Sequence, residues 1–195
     1  IDFDHGTVTG NILGVALPML VAQILSLLYN IVDRIYIARI PSVGTTALGA
    51  VGLCFPIIVI ITAFSNLFGS GGAPLFSINR GKGNIKKAEA IMNTSFSMLC
   101  ICGVTLMVIG MLFASPILVL FGASEEGLSY AYPYMMIYLI GTVPSMIATG
   151  MNPFINAQGY ATSGMLSVTI GAVANLILDP LFIFGLNLGI KGAAI

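Results

Sequence analysis

Charge is what this 195-residue chain has least of: 7% of its residues are charged and the net charge is zero, against roughly 25% charged in an ordinary soluble domain. A zero balance gives no argument for a nucleic-acid partner, and none is expected. Cysteine and histidine are also scarce, at three and one. Cys100 and Cys102 fall on different faces of a helix and His5 lies at the far end of the sequence, so neither a zinc site nor a disulfide framework has its required spacing. Cys54, Cys100 and Cys102 read as packing groups in an apolar setting. The glycine-rich stretches FGSGGAP (68–74) and RGKG (80–83) do not fit G-x-x-x-x-G-K-[ST], because Gly83 follows Lys82. That argues against nucleotide hydrolysis within this segment. No enzyme activity and no cofactor are expected.

What the chain has in abundance is apolar sequence, with 57% hydrophobic residues and a mean hydropathy of +1.03. Uncharged runs cover 11–32, 40–79, 90–124, 127–178 and 180–190. A bilayer core of about 30 Å takes about 20 apolar residues per helix. The run 127–178 is too long for one crossing and breaks at NAQGYATSG (156–164). The expectation is an all-α polytopic membrane protein with spans near 11–38, 45–78, 88–121, 128–153 and 162–186, and a sixth beginning near 189. The opening on Ile1 and the ending KGAAI suggest a piece of a longer protein. IDFDHGTVTG has no basic n-region and no small-residue cleavage site, so a removable signal peptide is not expected.

Basic residues favour cytoplasmic loops, and NRGKGNIKKAEA (79–90) holds Arg80, Lys82, Lys86 and Lys87. Placing that loop inside puts the amino terminus inside and GASEEGLS (122–129) outside, in a multi-pass protein of the plasma (inner) membrane. Arg34, Arg39 and Lys191 then lie at or near the outer face, against the rule. Proline falls within spans at 18, 56, 144 and 180, among 23 glycines. Bent and closely packed helices are expected.

Only Asp33, Arg34 and Asp179 lie within predicted spans and away from loops. A carboxylate in hydrocarbon costs on the order of 3 kcal/mol or more and usually faces a cavity or partner. Asp33 lies about fifteen residues after Pro18 and Asp179 about fifteen after Gly164, so at 1.5 Å per residue both reach the outer half of the membrane. Asn175 and Asp179 share a helix face, as do Tyr29, Asn30 and Asp33. An Asn carbonyl beside carboxylates offers hard oxygen ligands for Na⁺; the same carboxylates could instead hold a proton. In the fourth span Tyr134, Tyr138, Gly141, Ser145, Ala148 and Asn152 recur at three or four residues, predicting one polar face of small residues, hydroxyls and an amide.

These stretches, from ILGVALPMLVAQILSLLYNIVDRIYIARI through AVGLCFP, RGKGNIKKAEA and NPFINAQGYATSG to NLILDPLFIFGLNLGIKGAA, resemble in order and spacing the amino-terminal half of multidrug and toxic compound extrusion (MATE) transporters. The resemblance implies twelve helices in two six-helix lobes, with this chain forming most of the first and a second transmembrane lobe as its partner. It implies a cation or proton site at Asp33, Asn175 and Asp179, with Na⁺ as the possible metal, polar neighbours at Tyr134 and Asn152, and a bending proline at Pro18. The expected function is an antiporter that exports small organic, cationic compounds in exchange for Na⁺ or H⁺. A lipid-linked saccharide flippase of related architecture would line its cavity with Arg or Lys, and the spans offer only Arg34. An intramembrane aspartyl protease would need Tyr-Asp and Gly-x-Gly-Asp, whereas Asp33 follows Val32 and Asp179 follows Leu178.

Overall fold

Long uncharged runs fold as long helices because, in lipid, a helix satisfies its own backbone polar groups. The computed structural model describes residues 7–41, 44–186 and 188–194. His5 lies outside them. Helix α1, Val8–Ala38, starts where the Thr7 hydroxyl accepts the Gly10 amide at 3.2 Å. It runs without interruption through Pro18. Helix α2 covers Gly44–Gly81, and at 1.5 Å per residue it is about 57 Å long, well beyond a 30 Å hydrocarbon core. A tight turn follows, with Gly83 at φ 73° and Asn84 capping the next helix by accepting the Lys87 amide at 3.2 Å.

Two of the predicted spans are broken, and in both the break lies four residues before a proline. Helix α3, Ile85–Leu112, stops at Leu112, and the short α4, Ala114–Leu120, carries Pro116 in its first turn. Helix α5, Glu125–Ile140, stops at Ile140, and α6, Thr142–Ala157, carries Pro144. A proline ring clashes with the carbonyl four residues earlier, which weakens the helix at both of these places. The expected third span, 88–121, is therefore two helices. The expected fourth, 128–153, is a pair bent by 56°.

Helix α7, Ala161–Pro180, passes at Pro180 into a π-helical turn, Leu181–Gly185. Where a sixth helix was expected, Gly189–Ala194 is a short 3₁₀ segment. Among the described residues, four helical spans are long and apolar enough to cross a membrane, or five when the bent α5–α6 pair is counted as one span. Among the described residues there is no strand.

Two groups of helices result. Helix α2 packs on α3, α5 and α6, around Ala50, Leu99, Leu118, Met135, Leu139 and Met146. The backbones there come very close: a methyl group at Gly69 would strike the backbone of Gly150, and one at Gly150 would meet the Leu99 side chain at 2.6 Å. Helix α1 instead packs chiefly along α7. In α1 only Ile37 is buried, and in α7 only Ala161 and Gly164.

Candidate functional site

The candidate site lies where α1 and α7 run side by side in parallel. Tyr29 on α1 lies within polar reach of the Asn175 side chain on α7, and Asp33, one turn on, lies within electrostatic reach of Asp179. The two pairs share one register, since both partners advance by four residues. Asp33 and Asp179 are half-buried, and Asn175 is exposed on α7.

Helix α5 closes this neighbourhood from the core side. Tyr134 is 6% exposed and lies within electrostatic reach of Asp33 and Tyr29. Its ring stacks on that of Tyr138, with centroids 6.5 Å apart and planes 14° from parallel. Tyr138 in turn lies within reach of Tyr29. Tyr138 was visible in the sequence only as a rung of the polar face. Its spacing of four from Tyr134 was the signal that could have promoted it.

One atom stands out electrostatically. The Oδ1 oxygen of Asp33 is buried and has no hydrogen-bond partner among the described residues. An unsatisfied buried acceptor costs about 1–3 kcal/mol, and more when charged. Arg34, the adjacent cation, is exposed and lies over the Phe55 ring at 5.8 Å from its centroid, so it tethers α1 to α2 rather than capping that oxygen. Asp33, Asp179, the Asn175 carbonyl and the Tyr29 hydroxyl form a set of hard oxygen donors suited to a proton or a small alkali cation. No group of three or more His, Cys, Asp or Glu residues suited to a metal occurs among the described residues.

Other predicted site residues lie elsewhere. Asn30 is exposed and donates its amide to Ser26 O on its own helix at 2.7 Å, so it does not join Asp33. Asn152 donates to Gly164 O at 3.1 Å and accepts from Asn156 Nδ2 at 3.1 Å. That contact pins the start of α7, fifteen residues and about 22 Å along the helix from Asp179. The 56° bend at Gly141 splits the expected polar face of the fourth span, leaving the tyrosines at the site and Asn152 at the α6–α7 junction. Pro18 is half-buried within continuous α1. Cys54 is buried and contacts Ala131 O through its sulfur at 3.7 Å, and all three cysteines are free thiols.

A family model described as MatE matches residues 18–181. A protein named FAD transporter from Shewanella oneidensis is 30% identical over 98% of this chain and 43% of its own length. Multidrug export protein MepA from Staphylococcus haemolyticus is 28% identical over 99% of this chain and 42% of its own. The fold superposes on an outward-facing multidrug resistance MATE family transporter of the MOP superfamily with a TM-score of 0.87 and 27% identity, covering 94% of this chain and 40% of that one. The chain thus spans about two fifths of the length of the proteins it matches, which are transporters rather than enzymes.

Proposed function

The chain belongs to the MatE family, and on that premise we propose that residues 1–195 form the amino-terminal lobe of a secondary antiporter that exports small organic cations in exchange for Na⁺ or H⁺. It works with a second transmembrane lobe, in the plasma membrane, with its amino terminus in the cytoplasm. The observation that carries the reading is the pair of carboxylates, Asp33 and Asp179, brought together from parallel helices with one oxygen left without a donor. The names of the MepA relatives support export and drug substrates.

The chemistry at the site is ion capture. A proton or Na⁺ entering between α1 and α7 satisfies the free oxygen of Asp33 and removes the repulsion between the two carboxylates. Asn175 would add a carbonyl oxygen to a bound cation, while Tyr29 orients that amide. Because occupancy changes how closely α1 and α7 pack, the ion shifts the balance between two conformations only to the extent that it binds them differently. Inward movement of one charge through 100 mV supplies about 2.3 kcal/mol, equivalent to roughly a fiftyfold gradient of a neutral substrate.

The name of the Shewanella relative favours a second reading, in which the exported molecule is an anionic flavin nucleotide. The two carboxylates at the site weigh toward cations. The test is dye and flavin efflux by the full-length protein in cells, with Na⁺ present or absent and with the proton gradient collapsed. Efflux of cationic dyes that stops when one gradient is removed supports the antiport; efflux indifferent to both gradients refutes it.

A further inference from the structure

A second site is built at the opposite kind of surface, where α2 turns into α3. A cleft of about 260 Å³ opens there between Phe76 and Arg80 of α2, Ile85, Ala88, Glu89 and Met92 of α3, and Gln158 after α6. Its floor is rigid: Phe76 and Ala88 are buried, and the Phe76 ring meets Phe154 edge-on with centroids 5.7 Å apart. Its rim is cationic. Arg80 stands in the wall, and Lys82, Lys86 and Lys87 follow close by in the turn and the first turn of α3. These are four of the seven Lys and Arg residues of the chain, and none of the four forms an ion pair among the described residues.

The local electrostatics leave this cluster short of an anion. A helix start favours acidic residues, yet the first turn of α3 contains no acid and two lysines. Glu89 faces Arg80 across the cleft wall and is the single acid of the stretch 79–90, which holds four cations. An apolar floor beneath a cationic rim, at the end of a helix too long for the hydrocarbon core, matches one class of ligand found at that depth. Lipids with an anionic headgroup carry the phosphate at the rim and their acyl chains below it.

We propose that this cleft seats an anionic phospholipid, its phosphate held by Arg80 and the lysines and its glycerol and upper acyl chain on Phe76, Ile85 and Met92. The proposal rests on the membrane-spanning fold and is independent of the coupling ion and of the exported substrate.

The test uses the full-length protein in nanodiscs of phosphatidylcholine with and without phosphatidylglycerol, with retained lipid identified by native mass spectrometry. Phosphatidylglycerol should be retained in preference to phosphatidylcholine, and the double variant Arg80→Gln, Lys86→Gln should lower that preference by at least about tenfold. The variant Ile85→Trp keeps every charge but fills the cleft, so it too should displace the lipid. Undiminished retention in Ile85→Trp would overturn the seat in the cleft, whatever the charge variant does to insertion. Thermal stabilisation should follow phosphatidylglycerol and not inorganic phosphate. Equal stabilisation by inorganic phosphate would assign the site to a free anion and overturn the lipid.

Discussion

The α2–α3–α6 group and the α1–α7 pair are built from the same apolar alphabet but joined by different means. In the first, glycine lets backbones touch: Gly69 faces the backbone of Gly150, and Gly72 leaves room for Phe154 and Ser95. Close approach of this kind is how helices associate in lipid, where apolar burial gives no advantage over hydrocarbon tails. In the second group, a methyl group at Gly171 of α7 would meet nothing within 4 Å. Polar groups meet across the pair at Tyr29 and Asn175, and Asn152 of α6 bonds the start of α7 at Gly164. Dense packing resists small displacements, whereas polar contacts of this kind can be exchanged for others. Close backbone packing thus resides mainly in one group and exchangeable polar contacts in the other.

That division can be broken by experiment. The largest effect is expected for Asp179→Asn in the full-length protein: drug efflux falls to background while insertion and detergent-solubilised melting temperature stay as in the parent. Unimpaired efflux would remove Asp179 from the ion site. Next comes Gly150→Leu, which forces a branched side chain against Leu99 and the backbone of α2. Overpacking costs about 1–3 kcal/mol, so membrane yield and melting temperature should drop sharply; a parent-like melting curve would mean that the glycine contact is not a constraint. Gly171→Ala in the pair should instead be tolerated or stabilise by up to about 1 kcal/mol, read by the same melting assay. Asn152→Ala should cost about 0.6 kcal/mol, and a loss of efflux as complete as that of Asp179→Asn would return Asn152 to the ion site.

The helical spans were legible because a bilayer sets their length and composition. Their breaks were harder to read, since proline does not act uniformly: α1 continues through Pro18 and α2 through Pro56, while α3 and α5 stop four residues before Pro116 and Pro144. The clash with the preceding carbonyl is the same at each, so tertiary context decides whether a helix continues or breaks. The pairing of Asp33 with Asp179 was legible from depth alone, because two parallel helices of equal offset bring equal positions together. The place of Asn152 was not. Periodicity assumes a straight helix, and the bend at Gly141 sends the two halves of the face to different neighbours.

The π-helical turn after Pro180 bears on this site through the backbone. Pro180 has no amide hydrogen, so the carbonyl of Leu176 loses the donor that any other residue at 180 would give it. Leu176 lies between Asn175 and Asp179, and the widened turn that follows bonds Leu186 N back to Leu181 O at 2.8 Å. The Leu176 carbonyl thus lacks its α-helical donor in the turn that joins Asn175 to Asp179. Any other residue at 180 would return that donor, so a single imino acid sets how the main chain is bonded beside Asp179.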